Sequence, residues 1–208
     1  FFLHIDKQVE LDKSLTFHKG TRILVDDERY RSRWGTINIV EATLALLAQA
    51  VKQNQYDKFI LVSGADIPLL PKSELKSQLS NDLSYFSVWS KESVGSKTPQ
   101  AGEFFNRHHY HSALTNPGEA YLTKKRLNIY VMLLLNKMIA LLPPSKQFTY
   151  PLYAKGSQWW CISKELAQYL LAELNDNNTM QQFALMHAPD EKVFHTIAIN
   201  SPFADKLV

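Results

Sequence analysis

The chain has 208 residues, is 45% hydrophobic and carries a net charge of +3. That length and apolar content support one domain with a real core and exclude a disordered chain. The small charge excludes a dedicated nucleic-acid binder, which concentrates basic residues on one face. The single cysteine, Cys161, excludes an intrachain disulfide, fits a reducing compartment and reads as a buried, inert thiol. No run reaches the roughly 20 apolar residues of a membrane span, so no span is expected in this chain.

In chain order, "FFLHID" (1–6) and "TRILVDD" (21–27) read as buried strands, and "KFILVSGAD" (58–66) as the clearest strand. Near-continuous apolar runs imply strands covered on both faces, as in a parallel sheet. Each run ends on aspartate: Asp6, Asp26 with Asp27, and Asp66. Between the second and third lies a helix. Asn38 and Glu41 have the spacing of a capping box, and Val40, Leu44, Leu47 and Val51 mark one face. "YFSVWS" (85–90) reads as a strand and "KESVGSKTPQAGE" (91–103) as a polar loop. "TKKRLNIYVMLLLNKMIALL" (123–142) is a helix stopped by Pro143 and Pro144, and 155–174 is a turn, a strand and a helix capped by Ser163. The strand–helix alternation predicts an α/β domain, with ligands bound outside the carboxyl ends of the strands, where the aspartates fall. Aspartates at strand ends also make turns, and that reading stands beside the first.

Several motifs are absent. There is no phosphate-cradling glycine loop and no GxSxG elbow. The histidines of "EFFNRHHYH" (103–111) have no matching His/Cys pair, so they read as a polar or substrate-binding loop rather than a metal site. No aspartates stand in D-x-D spacing, the usual device by which a sugar-nucleotide enzyme holds a divalent cation; Asp26 and Glu28 form only D-x-E. Trp159 and Trp160 point to opposite faces of a strand, so one is expected in the core and the other free to lay its ring against the C–H face of a sugar. In "APDEKVFHTIAIN" (188–200), Pro189, Asp190 and Glu191 have the make-up of an acidic first helical turn, followed by an apolar face of Phe194, Ile197 and Ala198.

Four segments together resemble the core-2/I-branching β-1,6-N-acetylglucosaminyltransferases, glycosyltransferase family 14, which also contains peptide O-xylosyltransferases. They are "FFLHIDK" (1–7), W-G-x-x-x-x-V-E-A-x-L from Trp34, S-G-x-D-x-P-L from Ser63, and K-G-S-Q-W from Lys155 with P-D-E-x-x-F-H-T from Pro189. The resemblance spans nearly the whole chain and is loosest over 85–150. It implies a single glycosyltransferase domain over 1–208 with a GT-A-like (Rossmann-like), mostly parallel central sheet flanked by helices. It further implies inverting transfer of a sugar, GlcNAc first among the candidates, from a UDP-sugar to a carbohydrate hydroxyl. No metal or other cofactor is required; basic side chains meet the leaving diphosphate. By the same resemblance Glu191 is the catalytic base. His4, Asp6, Trp34, Gly35, Asp66 and Lys155 lie on the donor side, and Glu103, Arg107, Ser157 and Trp159 on the acceptor side. Family members carry a strand and helix ahead of "FFLHID" and a basic segment beyond "NSPF", so the chain is expected to be part of a longer protein. Otherwise Arg29, Arg31, Arg33 or Lys155 must neutralise the diphosphate. "WGT" replaces the commoner "WGG".

The chemistry is consistent with these residues. A sugar hydroxyl is a poor nucleophile, so a positioned carboxylate must take its proton as the new bond forms. A carboxylate in a first helical turn is held in its charged form by the helix dipole. Two other readings keep the same residues. One is a glycoside hydrolase using a carboxylate pair such as Glu191 with Asp66. The other is a non-catalytic sugar-binding domain using Trp159 or Trp160. Animal members of the family carry several disulfides, so one cysteine implies a bacterial-type cytoplasmic relative, associated with membranes only through its acceptor.

Overall fold

The computed structural model describes residues 1–11, 16–32, 34–93, 148–184, 186 and 188–208. The polar loop after Ser93, the histidine-rich segment and the helix expected over 123–142 lie outside them, as does Arg33. The described elements are β1 (Phe2–Leu3), β2 (Arg22–Ile23), α1 (Asn38–Lys52), β3 (Lys58–Leu61), α2 (Lys72–Gln78), β4 (Tyr85–Ser93) and β5 (Leu152–Ser163). Then come α3 (Lys164–Leu174), α4 (Asn177–Phe183) and α5 (Val193–Ile199). Three 3₁₀ turns complete the order, at Asp26–Glu28, Pro189–Glu191 and Ala204–Lys206. The fold is mixed α/β, as expected.

The sheets depart from the expected parallel arrangement. β1 and β2 pair in parallel but only over two residues each. The larger described sheet has the order β3-β5-β4, and β5 runs antiparallel to both neighbours. An antiparallel sheet can leave one face in solvent, and this one does. On β3, Phe59 is buried whereas Ile60 is 47% exposed. The apolar run "KFILV" therefore alternates between two environments rather than lying between two helical layers. Similarly, "FFLHID" yields only two strand residues, because the polar groups of His4 and Asp6 bond to a neighbouring loop instead of continuing a ladder.

The core lies between the inner face of the sheet and α1, α3 and α5. Phe59, Phe86, Tyr153, Trp160 and Ile162 meet Val40, Leu47, Leu166, Leu170, Phe194 and Ile197. The face expected of α1 is seen: Val40 and Leu47 are buried, and Leu44 and Val51 pack against the cluster. Its capping box is not. Ile37 is the N-cap, and the Asn38 amide donates to the Glu41 carboxylate at 2.7 Å, joining two side chains rather than closing on backbone. The Ser163 cap of α3 is present, its Oγ accepting from the Leu166 N–H at 3.3 Å. The turn expected at 155–158 is instead part of β5, because "LYAKGSQWWCIS" pairs along β4 for most of its length.

α5 is buried on every side. One side of β5 is covered by β3 only between Trp160 and Ser163. Further back, α5 side chains take the place of a strand. Thr196 Oγ1 accepts from the Ala154 N–H at 3.1 Å and donates to the Ala154 carbonyl at 3.2 Å. Four residues on, Asn200 accepts from the Leu152 N–H at 3.2 Å and donates to its carbonyl at 2.8 Å. Positions i and i+4 lie one above the other on a helix, so the two side chains match alternate residues of the strand. Gly156 completes the fit: a Cβ there would meet the Ser87 carbonyl and lie 2.6 Å from the His195 ring.

Two substitutions test this seam. Thr196→Val keeps the shape but leaves the Ala154 amide and carbonyl unpaired in the core, and thermal melting is expected to report a loss of about 1–3 kcal/mol. Gly156→Ala is expected to cost about 3 kcal/mol or more, because backbone and a buried ring must both move.

Candidate active site

Residues 188–192 form a tight turn between α4 and α5. Ala188 adopts the left-handed conformation (φ 47°, ψ 61°), which a non-glycine residue enters only at a cost of order 1 kcal/mol. Two contacts hold it there. Its N–H donates to the Gly35 carbonyl at 3.1 Å, and its own carbonyl accepts from the Glu191 N–H at 3.2 Å. Gly35 is itself left-handed, at φ 74°, where glycine is the residue that fits without strain. The W-G and P-D-E motifs, 154 positions apart in sequence, thus meet through one backbone hydrogen bond.

Glu191 does not sit in the first turn of a helix. Pro189–Glu191 is a separate 3₁₀ turn, and Lys192 (φ −130°, ψ −49°) breaks it from α5. The charge facing Glu191 is a side chain rather than a helix dipole: Lys155 Nζ lies 3.1 Å from Glu191 Oε2. Roughly a quarter of each side chain is exposed, so the pair is open to solvent and to a ligand. The same ammonium lies 5.5 Å from the centre of the Trp89 ring, within cation–π range. Lys155, Glu191 and Trp89 therefore gather a cation, a carboxylate and an exposed aromatic face at one place.

Behind this pair lie three buried titratable groups. Asp190 is buried with Oδ1 lacking a partner, and burial pushes its carboxyl up to about 6, with the neighbouring Glu191 adding to the shift. Lys192 is fully buried; burial first, then the charge of Lys155, lowers it to about 7. His195 is fully buried with neither ring nitrogen bonded, and burial lowers it to about 4. His195 packs edge-on against Phe86 with ring centroids 5.0 Å apart. Core packing, rather than contact with substrate, is its role.

The N-terminal residues expected on the donor side, His4 and Asp6, form a connected unit with the loop at 30–32. Asp6 accepts from the Gln8 and Ser32 N–H groups at 2.7 Å each, and His4 Nε2 accepts from the Tyr30 N–H at 2.9 Å. Burial lowers the His4 ring, which fits this acceptor role. Trp34, two positions after Ser32, is 60% exposed. Hydrogen bonds thus tie His4 and Asp6 to the loop that ends on Gly35, and Gly35 to the turn of Glu191. Asp66 closes a local turn, accepting from the Ser63 N–H at 2.6 Å, and lines a hollow on the open sheet face with Ile60, Tyr85, Trp159 and Cys161. No described contact joins Asp66 to Glu191. Ser157 Oγ accepts from the Trp159 N–H at 3.3 Å. The tryptophans divide as expected, with Trp160 buried and Trp159 partly exposed. Cys161 is only partly buried, and desolvation pushes its thiol up. Glu103 and Arg107 lie outside the described residues.

Of the basic candidates for a diphosphate, Arg31 is exposed and Arg29 is otherwise engaged. Arg29 is buried and donates to the carbonyls of Ile5, Asp6 and Val9. Lys206 pairs with Asp82 at 2.7 Å, beside the edge where the Ser84 N–H donates to the Lys206 carbonyl and the Ser84 carbonyl accepts from the Val208 N–H. A second hollow, of about 300 Å³ between α1 and β3, is lined by Phe2, Leu46, Tyr56 and other apolar residues and includes none of 188–195. Among the described residues no group of three His, Cys, Asp or Glu is placed to hold a metal ion. No described helix is long and apolar enough to cross a membrane.

Sequence reasoning missed Trp89 and the buried state of Lys192. The first is signalled only by lying in a strand paired with "YAKG". The second is hidden because a lysine is seldom fully buried.

A mixed α/β domain that gathers a carboxylate, an ammonium and aromatic faces at one turn has the make-up of an enzyme acting on a polar ring-bearing substrate. Over residues 1–208 the chain matches the family model described as core-2/I-branching enzyme, and it belongs to that family, one of glycosyltransferases. Its reaction therefore has a sugar donor and an acceptor. No curated protein matches the chain.

The buried groups set opposing pH dependences. Between pH 4 and 6.5 an unfolded His195 takes a proton that the buried ring refuses, so acidification removes stability. Between about 3.8 and 6 the buried Asp190 holds a proton that the unfolded side chain has lost, so acidification adds stability. Relative to the parent chain, His195→Leu is expected to gain melting temperature on going from pH 6.5 to 4.5, and Asp190→Asn to lose it.

Proposed function

We propose that this chain is an inverting glycosyltransferase with a GT-A-like fold. It moves a sugar, GlcNAc first among the candidates, from a UDP-sugar to a carbohydrate hydroxyl without a metal ion. Glu191 takes the proton of the attacking hydroxyl. Family membership supplies the reaction class, and one observation carries the assignment of the base: Glu191 is the solvent-accessible carboxylate of the turn clipped to Trp34–Gly35, with a cation in contact. Asp190, beside it in sequence, is buried and unsuited to meet an incoming alcohol.

In-line attack on the anomeric carbon needs the base on the acceptor side and positive charge on the leaving-group side. Lys155, in contact with Glu191, is assigned to this task. His4, Asp6, Trp34 and Gly35 form the donor side through the hydrogen bonds already traced, and Asp66 is assigned to the donor with them. Ser157 and Trp159 present a hydroxyl and an aromatic face to the acceptor, and Glu103 and Arg107 are assigned there by the family pattern. The lone cysteine supports work in a reducing compartment, and the acceptor proposed with it is a membrane-linked polysaccharide precursor.

Glu191→Gln tests this reading. Positioned base catalysis is worth roughly 10²–10⁴-fold, and a loss of that size in transfer is expected, with no loss of UDP binding. Transfer measured with several UDP-sugars, with and without EDTA, checks it. Full turnover by the variant would remove Glu191 as the base, and loss of activity in EDTA would remove metal independence.

A further inference from the structure

Lys155 stands where two anions compete for it. We propose that Lys155 serves them in turn: it holds the Glu191 carboxylate, as here, and passes to the phosphate oxygens of a nucleoside-diphosphate donor when one binds, so that the base is released to the acceptor only once the donor is in place. This rests on the reading of Glu191 as the base.

Four observations carry it. The pair is a single contact, Nζ to Oε2 at 3.1 Å, with both side chains partly exposed, so exchanging it for another anion costs little. The β4–β5 ladder is irregular just beside Lys155: its register shifts between Phe86 and Val88 and again between Val88 and Ser90, the residue opposite Lys155. Trp89, in this irregular stretch, is 61% exposed and lies under the ammonium, a polarisable surface along which the four-carbon stem can swing. Finally, Lys155 and the buried Lys192 are like charges that disfavour one another at this turn. Nothing comparable frees Arg29 or Lys206, each committed to carbonyls or to Asp82.

While paired, Glu191 has one oxygen occupied by a cation and is a poorer acceptor for a hydroxyl proton. When Lys155 moves to phosphate, the same positive charge offsets the negative charge that grows on the leaving diphosphate. One lysine thereby couples donor binding to availability of the base.

The test is a double-mutant cycle read by titration calorimetry with UDP, inorganic pyrophosphate and uridine, on the parent chain, Glu191→Gln, Lys155→Met and the double variant. If Glu191 and phosphate share Lys155, removing the carboxylate charge frees the lysine. Glu191→Gln is expected to bind UDP and pyrophosphate about two- to tenfold more tightly than the parent. Lys155→Met is expected to bind them roughly tenfold or more weakly, and in its background Glu191→Gln brings no gain. Uridine, lacking phosphate, responds to neither change. Lys155→Arg keeps the charge and retains UDP binding, which separates the role of the cation from a folding defect. Unchanged or weaker UDP binding by Glu191→Gln, or a gain that persists without Lys155, overturns the proposal while leaving the transferase reading in place. Failure of the parent chain to bind UDP overturns both.

Discussion

The pairing of two helix-borne side chains with the backbone of β5 organises this molecule. On one side of β5, the ladder with β3 reaches back only to Trp160. The amide and carbonyl groups of Leu152 and Ala154, which β3 does not reach, are bonded by Asn200 and Thr196. Buried backbone groups left unpaired would cost more than most single side-chain contacts return, so this seam fixes the depth and rotation of α5 against the sheet. Lys155 follows Ala154 on β5, and Glu191 lies just ahead of α5. Their meeting follows from the seam.

Burial on both sides of the turn then sorts its charges. Asp190, Lys192 and His195 face inward, where desolvation disfavours their charged forms. Glu191 and Lys155 remain partly in solvent and pair with each other. Adjacent carboxylates thus acquire different properties from environment alone, one inward and one outward. That division places the two carboxylates of one short acidic turn in different environments, one in the core and one open to solvent.

The turn is also tied to the opposite end of the chain. The Gly35 carbonyl receives the Ala188 N–H, and Asp6 holds the loop leading to Trp34 through Ser32. The strand-end aspartates, which suggested a shared site, divide on inspection. Asp6 is a tie between segments. Asp66 closes its own turn beside Trp159 and makes no described contact with Glu191. Arg29, available by sequence for a diphosphate, instead holds three backbone carbonyls together.

The sequence by itself determined the class of fold, the core faces of α1 and β5, the Ser163 cap, and the motifs that mark the core-2/I-branching family. These follow from local periodicity and residue type, which act over a few positions. The antiparallel direction of β5, the exposure of Ile60, and the extent of the N-terminal strand were decided by tertiary structure. Strand direction and face covering depend on which segments meet, and an apolar run reads alike in either arrangement. The partner of Glu191 is the clearest case. Pro189 and Asp190 read as the opening of a helix whose dipole would hold the carboxylate, yet the helix begins only after Lys192, and the counter-charge comes from a lysine 36 positions away on another element. Such a contact is invisible to local pattern, because only the packing of α5 on β5 brings the two side chains within reach.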